Sequence, residues 1–377
     1  MGLPERKVGY AMSGVRRAVG IDPGTKSFDI CGLEGNRLFL DRSIPTADVS
    51  ANPQALVDLL QAAAPLDMVV GPSGYGLPWI AARDLGPREV DLLLLSEERD
   101  SGRGAVIGGM RRMLDLLKES GLPIFFAPSV IHLSTVPPQR KVNRVDMGTA
   151  DKLCAVALGI YDQSKRLNLD YEATSFIYVE LGSAFSAAIS VENGKVVDGL
   201  GGTSGPMGYL ALGAMDGELA YLLGSFHKEV LCTGGMAHIA GHPETAPEEL
   251  MARTGADARC GLALEAFLES LVKCVCAETA IVRSPREILI SGRLCRVEGF
   301  AREVIHRLSR FAPVHKVEGF ARIAKEAAQG AALIAEGLAG GMYERLIDVM
   351  RLRDAGGASL DHICVDGAES LRRKYLS

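Results

Sequence analysis

The sequence has no long hydrophobic run that is free of charged and polar residues. Its most apolar late segment, AAQGAALIAEGLAGG, carries Gln329 and Glu336, whereas a membrane-spanning helix needs ~20 consecutive apolar residues. The first residues, MGLPERKVGYAMSGVRR, contain charges but no apolar core of a secretory signal. We therefore expect a cytoplasmic protein with no membrane partner.

An excess of basic residues is absent as well. The chain has 41 Lys and Arg against 46 Asp and Glu, which gives a formal net charge of -5. A protein that neutralises the phosphates of DNA or RNA concentrates positive charge. The balance argues against nucleic acid as the main partner.

The eight cysteines include no C-x-x-C pair, the spacing typical of redox and zinc motifs. The closest pair, Cys274 and Cys276, lies in a helical pattern, where positions two apart do not face each other. We expect reduced and mostly buried thiols, as in cytosolic proteins.

What the sequence does contain is enough apolar material for two cores. The chain has 377 residues, of which 47% are hydrophobic and 23% charged, close to the average of soluble domains. A chain of this length exceeds the usual size of one core, so two domains of roughly 150 to 200 residues are expected.

The chain repeats a short pattern at an offset of 158 residues. Residues 22–25, Asp-Pro-Gly-Thr, and residues 180–183, Glu-Leu-Gly-Ser, both consist of an acid, any residue, a glycine and a hydroxyl residue. The same offset carries residues 34–37 onto residues 192–195 without a gap, and both read as hairpin turns with Asn and Gly. Each half therefore begins with three strands, of which the first ends in an acid-glycine turn.

The remaining pattern predicts the order βββαβαβα in both halves. In the first half we expect strands at NRLFLDRSI, LDMVVG and PIFFAP and helices at residues 52–64, capped by Asn52, and at RRMLDLLKESG, ended by Gly121. In the second half we expect strands at KVVDGL, EILIS and VHKVE and helices at residues 209–223, 262–282, 301–311 and 323–338. The predicted domains are residues 15–165 and 174–341, with an insertion at about 227–257 and a helical tail at 342–377.

The two acid-glycine turns suit the phosphates of a nucleotide. Glycine lets the backbone approach a phosphate closely, Thr25 and Ser183 add hydroxyl donors, and Lys26 adds a positive charge. The acids Asp22 and Glu180 suit the Mg²⁺ that accompanies a nucleotide. A single such motif commonly marks only a turn, but two copies in one register favour nucleotide binding.

These motifs resemble those of the superfamily that includes acetate and sugar kinases, heat-shock chaperones and actin. The resemblance implies an α/β fold of two ribonuclease-H-like (actin-like ATPase) domains with a nucleotide cleft between them. It identifies residues 21–26 and 180–185 as the first and second phosphate loops, and ILISGRLCR, with Ser291 and Gly292, as the loop that borders the adenosine of ATP.

Within this superfamily the chain looks most similar to an uncharacterised, largely archaeal family described as predicted butyrate kinases. Two glycine-rich loops carry this similarity, GPSGYGLP at residues 71–78 and GGTSGPMG at residues 201–208. The resemblance implies that they contact the substrate, through the residues Ser73, Gly74, Tyr75, Ser204 and Gly205.

The chain also departs from the acid-kinase pattern at three places. The second phosphate loop reads Gly-Ser-Ala-Phe at residues 182–185, without the usual second glycine, and the adenosine loop has Gly292-Arg293 where Gly-Gly is common. Pro72 and Ser73 stand where an arginine is expected. These departures keep an alternative open, a non-kinase ATP-binding switch or sensor that regulates a protein partner.

Candidate catalytic groups lie in RKVNRVDMGTADKL, the densest cluster of acids and arginines before the second turn. Acetate kinases place a catalytic aspartate at the start of the helix before the second phosphate loop, and both Asp146 and Asp151 fit that location. Asp151 is slightly preferred because it lies in the first turn of a predicted helix, although an acid is also favoured there by the helix dipole. Arg144 and Arg140 are candidate phosphate clamps or, alternatively, solvated surface charges.

The histidines give a weaker signal. His238 and His242 are four residues apart, which on a helix would place both on one face for a metal. The glycines around them and Pro243 favour a loop instead.

Together these patterns predict an enzyme that uses ATP and Mg²⁺ to phosphorylate a small acceptor. The acid-kinase resemblance implies a short-chain carboxylate as acceptor and an acyl phosphate as product. Methionine-containing helices and glycine-rich surfaces allow a homodimer.

Overall fold

The computed structural model describes residues 14–71, 73–96 and 105–376, with the backbone alone at 105–109. The chain forms two compact units. Unit 1 comprises the described parts of Met1–Val145, Thr149–Glu172 and Glu318–Ser377, and unit 2 comprises Asp146–Gly148 and Ala173–Val317. Pro72, which the sequence analysis placed where an arginine is expected, lies outside the described residues.

Unit 1 is built on a sheet with the strand order β3-β2-β1-β4-β6-β5. Strands β1, β2 and β3 pair antiparallel, and β4 and β6 continue the sheet parallel to β1. The strands are β1 (Arg17–Pro23), β2 (Ser27–Glu34), β3 (Arg37–Pro45), β4 (Met68–Gly71), β5 (Ile80–Ala81) and β6 (Ile124–Phe126).

Helices cover this sheet, and three of them come from the last 60 residues of the chain. The helices of unit 1 are α1 (Thr46–Ala51), α2 (Gln54–Ala62), α3 (Pro87–Leu94), α4 (Ala105–Glu119), α5 (Pro138–Lys141), α6 (Ala150–Leu167), α12 (Glu326–Leu338), α13 (Glu344–Met350) and α14 (Ala368–Leu376). Successive residues of β1 face opposite sides of the sheet. Val19 and Ile21 lie on one side, in a core cluster with Leu56 and Leu114. Gly20, between them, faces α12.

The helix α12 approaches β1 and α6 so closely that side chains would not fit at two positions. A Cβ at Gly20 would lie 2.2 Å from the backbone nitrogen of Ala332, and one at Gly330 would lie 1.7 Å from the carbonyl oxygen of Cys154. Because both neighbours are backbone atoms of packed elements, any larger residue would force the layers apart. The start of α12 is therefore held firmly over β1.

Unit 2 has a five-stranded sheet with the order β11-β10-β7-β8-β9. Its strands are β7 (Ser175–Leu181), β8 (Ser186–Glu192), β9 (Lys195–Leu200), β10 (Glu287–Ser291) and β11 (Val314–Lys316). Its helices are α7 (Gly217–Leu223), α8 (Met236–Ile239), α9 (Pro247–Arg253), α10 (Ala258–Thr279) and α11 (Glu298–Leu308). Ile177 and Val179 of β7 pack with Phe267 of α10 and Phe300 of α11, and the two rings meet edge to face at 4.9 Å.

The predicted repeat holds in three dimensions. Strands β1 and β7 begin at residues 17 and 175, and β3 and β9 at residues 37 and 195, both at the offset of 158. The pairing of the second and third strands slips at residues 32/33 in unit 1 and at residues 190/191 in unit 2, which is again the same offset. If the two-residue edge strand β5 is left aside, the order β3-β2-β1-β4-β6 of unit 1 matches the order β9-β8-β7-β10-β11 of unit 2. Both agree with the predicted ribonuclease-H-like fold.

One predicted helix was wrong over half its length. Only Gly217–Leu223 of residues 209–223 is helical, and Asp216 caps its start by accepting hydrogen bonds from the N–H groups of Glu218 and Leu219. The preceding residues form an irregular segment, in which Ala211 makes an isolated antiparallel bridge to Gly234. The apolar spacing of residues 209–215 reflects burial in a loop and not one face of a helix.

Several helices of the first half were not predicted, among them α1, α3 and α5. Helix α1 follows β3 directly, and Asn52, predicted to cap the next helix, instead follows the end of α1 with its N–H donating to the carbonyl of Asp48. All eight cysteines are free thiols, of which Cys31, Cys154, Cys260 and Cys295 are buried. No helix in the described parts of the chain is long and apolar enough to cross a bilayer.

Candidate functional site

The first acid-glycine turn, residues 21–26, joins β1 to β2. Asp22 is buried near the end of β1, while Thr25 and Lys26 are exposed. Thr46, the first residue of α1, donates through its Oγ1 to the carbonyl of Gly24 (2.7 Å) and through its N–H to the carbonyl of Lys26 (3.0 Å). The unpredicted helix α1 therefore holds the turn in shape.

The side chain of Lys325 lies close to this turn. A Cβ at Gly24 would lie 2.8 Å from the carbonyl oxygen of Ser27 and 3.3 Å from the Nζ of Lys325. The Nζ of Lys325 is 2.8 Å from Oδ2 of Asp29 and donates to the hydroxyl of Ser27 (2.6 Å). A residue at the N-terminus of α12 thus brings a positive charge to a turn almost 300 positions earlier.

Sequence reasoning missed Lys325 and Asp29. Asp29 stands opposite Asp22 in the β1–β2 pairing and is buried. Asp29 is a charged residue inside the otherwise apolar run FDICGL of β2, which is a signal that could have been used. No local pattern points to Lys325, because its partners come from the other end of the chain.

Asp151 belongs to the same charged cluster as Asp22. Burial, followed by the negative charge of Asp151, raises the pKa of Asp22 well above its usual range, against the opposing charges of Lys325 and Lys152. Burial also acts on Asp151, but the charge of Lys152 and the hydrogen bonds from Lys152 and Thr149 outweigh it and lower the pKa of Asp151. The cluster therefore combines two carboxylates of unequal acidity with two lysines.

The beginning of α6 fixes the orientation of Asp151. Oδ1 of Asp151 accepts from the hydroxyl of Thr149 (2.5 Å), and Oδ2 pairs with the Nζ of Lys152 (2.6 Å). The Asp151 side chain is one quarter exposed, so it is accessible to a bound molecule. The sequence preference for Asp151 in a helix first turn agrees with its position as the second residue of α6.

The residues around Asp22 fit a hard divalent cation. Mg²⁺ is bound by carboxylate oxygens together with water and substrate phosphates. Asp22 is a buried carboxyl group whose ionisation is disfavoured by its surroundings, so a cation placed beside it would stabilise its charged form. Asp22, with Asp151 beside it, supplies oxygen ligands of the kind that Mg²⁺ prefers.

The second acid-glycine turn, residues 180–185, lies at the carboxyl end of β7. Glu180 is paired in register with Ser291 at the end of the parallel strand β10. A Cβ at Gly182 would lie 3.2 Å from both carboxylate oxygens of Glu180 and 2.7 Å from the carbonyl oxygen of Phe185. The carboxylate of Glu180 is thus bordered by the glycine of its own turn.

The turn after β10 closes the other side of Glu180. Gly292 has a φ of 94°, and a Cβ there would lie 2.4 Å from the carbonyl oxygen of Leu181 and 2.9 Å from Oε1 of Glu180. Ser291 is buried, and among the described residues its hydroxyl oxygen has no hydrogen-bond partner. The ends of two adjacent parallel strands, where ligands commonly bind in α/β sheets, therefore meet here.

The first glycine-rich loop is tied to the start of α6. The carbonyl of Gly74 accepts from the N–H of Ala150 (3.1 Å), next to Asp151, and the N–H of Tyr75 donates to the carbonyl of Leu93 (3.0 Å). The hydroxyl of Ser73 is buried, where it donates to the carbonyl of Gly71 (3.1 Å) and accepts from the N–H of Ala127 (2.8 Å). The hydroxyl of Ser73 thus stabilises the loop, while Gly74 brings the loop beside Asp151.

Asp146 stabilises the second glycine-rich loop. Its Oδ2 accepts from both the N–H and the hydroxyl of Thr203 (3.0 Å each), and its Oδ1 accepts from the N–H of Gly148 (3.0 Å). The hydroxyl of Ser204 donates to the main-chain carbonyl of Asp146, and the N–H of Ala214 donates to the carbonyl of Gly205 (3.0 Å). The hydrogen-bonding capacity of Asp146 is therefore largely used within unit 2.

The two arginines before Asp146 differ in exposure. Arg144 is exposed, and its N–H donates to the carbonyl of Lys141 (3.0 Å). Arg140 is half-buried in the short helix α5. Both lie in unit 1, whereas Asp146 belongs to unit 2.

Comparison with known proteins gives a family for most of the chain. A family model described as "Protein of unknown function (DUF1464)" matches residues 20–365. "UPF0285 protein MK0078" of Methanopyrus kandleri is 29% identical over 253 residues, which cover 64% of this chain and 69% of that protein.

Solved structures give the fold. A propionate kinase from Francisella tularensis superposes with a TM-score of 0.58 at 13% identity, covering 84% of this chain and 98% of that one. Acetate kinase from Entamoeba histolytica superposes with a TM-score of 0.56 at 10% identity, covering 78% and 87%. These similarities confirm the predicted two-domain, actin-like ATPase fold.

Proposed function

The chain belongs to the DUF1464 family, and we propose that it is an ATP-dependent phosphotransferase whose acceptor is a short-chain carboxylate. The observation that carries this proposal is the cluster of Asp22, Asp151, Lys152 and Lys325 around the first acid-glycine turn. Phosphoryl transfer depends mainly on positioning and on charge placed near the phosphates, which this cluster supplies. The kinase-like fold supports the same class of reaction.

In this proposal each acid-glycine turn contributes to one nucleotide-binding function. Gly24, Thr25 and Lys26 of the first turn and Gly182 and Ser183 of the second bind phosphates through N–H, hydroxyl and ammonium donors. Ser291 and Gly292 border the nucleoside. Asp22 and Glu180 hold Mg²⁺, which when bound neutralises negative charge on the phosphates.

The environment of Asp151 favours a carboxylate acceptor over an alcohol. An alcohol must lose a proton as it attacks, so its kinase benefits from a strong general base. The pKa of Asp151 is lowered, chiefly because Lys152 outweighs the effect of burial, and this makes Asp151 a weak base. A carboxylate is already deprotonated at neutral pH and needs no base, so the role of Asp151 is to orient charge and not to accept a proton.

The step balances without any further reactant. A carboxylate oxygen of the acceptor forms a bond to the γ-phosphorus of ATP, and the bond from that phosphorus to the β,γ-bridging oxygen breaks. ADP leaves with the electron pair of that bond, and the product is an acyl phosphate. Gly74 and Tyr75, beside the N-terminus of α6, are the residues we assign to the acceptor, with Ser204 and Gly205 as further contacts.

The test combines isothermal titration with Mg·ATP and ³¹P NMR in the presence of acetate, butyrate or a branched-chain acid. We expect binding by the wild type and the appearance of an acyl-phosphate resonance with one of the acids. Gly182→Asp should lose ATP binding, because its side chain would crowd the carboxylate of Glu180 with a like charge. Gly217→Asp is the matched control, since that glycine of α7 has open space around it.

A second variant keeps the test independent of folding. Lys26 is exposed, so Lys26→Met should fold normally and weaken ATP binding about tenfold through the loss of one phosphate contact. ATP binding without transfer to any acid would overturn the phosphotransferase and favour the regulatory switch. The hydroxyls of Ser73 and Ser204 already make hydrogen bonds to main-chain atoms. The regulatory switch rests on this observation, because hydroxyls with such partners are less available to a substrate.

A further inference from the structure

Three potential metal ligands meet in unit 2, outside the residues assigned to ATP and its acceptor. They are His242, which follows α8, Asp257, which caps α10, and Cys260 in the first turn of α10. One ligand atom from each lies within 4.8 Å of the other two. Cys260 is buried, and the other two side chains are half-buried, so the group is partly shielded from water.

Local hydrogen bonds fix the backbone of His242 and the carboxylate of Asp257. The N–H of His242 donates to the carbonyl of Ala237 (2.9 Å), and its carbonyl accepts from Thr245 (3.0 Å). Oδ1 of Asp257 accepts from the N–H groups of Arg259 (2.8 Å) and Cys260 (3.2 Å). Both cap bonds use the same oxygen, so the cap orients the carboxylate without using Oδ2.

We propose that His242, Asp257 and Cys260 bind a zinc ion. An imidazole nitrogen, a thiolate sulfur and a carboxylate oxygen are the ligand types that zinc prefers, and three protein ligands with one water complete a tetrahedron. Ligand atoms on one zinc ion lie about 3.3 to 3.8 Å apart, given metal distances of about 2.0 to 2.3 Å. The observed spread of up to 4.8 Å requires a contraction of only about 1 Å.

The partner of His242 is therefore a different residue from the one that sequence spacing suggested. His238, four residues earlier on α8, is not part of the convergent group among the described residues. Asp257 and Cys260 come from the next long helix, 15 and 18 residues after His242. Zinc would thus join the irregular end of the 227–257 segment to the start of α10 and stabilise both.

The plain alternative is a helix cap that needs no metal. Asp257 already satisfies two N–H groups at the start of α10, and the guanidinium of Arg259 donates to the carbonyl of Ile239 nearby (3.3 Å). A cap explains Asp257, and a hydrogen bond between the Cys260 thiol and the Asp257 carboxylate explains Cys260, but neither gives a reason for the imidazole of His242 to converge on them. Cation binding separates the two explanations directly.

The experiment is titration of the full, chelator-treated protein with Co²⁺ and then with Zn²⁺ as competitor. We expect a thiolate-to-cobalt absorption band in the near ultraviolet that zinc abolishes. Cys260→Ser and His242→Ala should each remove the band and lower metal affinity at least 100-fold. Cys276→Ser, an exposed cysteine on the same helix, is the matched control and should keep it.

A further variant separates metal binding from capping. Asp257→Asn retains a good helix cap but loses the anionic ligand. We expect it to fold like the wild type, to bind Co²⁺ about 10 to 100-fold more weakly, and to lose the rise in melting temperature that Zn²⁺ gives the wild type. Absence of cobalt binding at micromolar concentrations, or a band that survives Cys260→Ser, would overturn the zinc site.

Discussion

The two acid-glycine turns share a backbone and differ in their surroundings. Both end the first strand of a βββ unit at an offset of 158 residues. Asp22 is surrounded by charged groups, among them Asp29, Asp151 and Lys325, whereas Glu180 is bordered by Gly182 and Gly292. A repeated fold element can therefore keep its backbone geometry while the residues that surround its two acids differ.

The difference suggests a division of labour. Under the proposed function, the first turn supplies the charges that act on the transferring phosphoryl group, and the second turn binds phosphate through close approach of its backbone. The following experiments test that division, beginning with the largest expected effect.

Asp22→Asn and Glu180→Gln should affect phosphoryl transfer unequally. We expect Asp22→Asn to lower kcat about 10³-fold, since it removes the carboxylate that we assign to Mg²⁺ beside the transferring group. Glu180→Gln should act mainly by raising the KM for ATP, about tenfold. Steady-state measurement of ADP formation with the acid identified by NMR checks this, and equal losses in kcat would contradict the division.

Lys325→Met should destabilise unit 1 by about 2 to 4 kcal/mol, because it leaves Asp29 buried without its counter-charge. Adding Asp29→Asn should restore most of that stability. In unit 2, Lys273→Met breaks an exposed pair with Glu269 and should cost less than about 0.5 kcal/mol. Thermal unfolding of the wild type and the three variants measures this contrast, and a double variant no more stable than Lys325→Met would argue against a charge effect.

Asp22→Asn should also make the protein more stable, by an amount that grows with pH. An acid whose pKa is raised on folding, here to about 8, keeps its proton in the folded chain while the unfolded chain has lost it. Wild-type stability therefore falls as pH rises from about 4 to about 8, by up to about 1.4 kcal/mol per pH unit, and the variant lacks this loss. Melting temperatures without Mg²⁺ at several pH values test it; a difference that stays constant with pH would contradict it.

Ser291→Ala should have the smallest effect. Its buried hydroxyl has no hydrogen-bond partner among the described residues, so its removal should change the free energy of unfolding by less than about 1 kcal/mol. If the hydroxyl contacts the nucleoside, ATP affinity should fall severalfold in the same variant. Calorimetric titration distinguishes the two effects, and a large loss of stability would show that the hydroxyl is structural.

The sequence predicts the strands of this protein well, because strand signals are local. Alternation and turn residues gave β9 and β10 their observed bounds, and the acid-glycine repeat predicted both three-stranded units. The helix predicted over residues 209–216 was wrong for the opposite reason. Its apolar residues are buried by long-range contacts, such as the N–H of Leu210 donating to the carbonyl of Ala184, and not by a helical face.

The candidate site was predictable only where its residues lie in motifs. Asp22, Glu180 and their glycines stand out by repetition, and Asp151 stands out as an acid in a helix first turn. Lys325 has no such signal, because its position depends on where α12 packs. The periodicity of α12 predicts a helix, but the close contact of Gly330 with Cys154 that docks it is a matter of shape.

The packing of α12 on β1 also bears on the order in which the chain can fold during synthesis. Unit 2, apart from residues 146–148, is one continuous stretch, whereas unit 1 needs residues 318–376 to complete it. Because the chain leaves the ribosome from its N-terminus, unit 2 can fold before α12, which covers β1, has been synthesised. The half that is made first is then the half that finishes last.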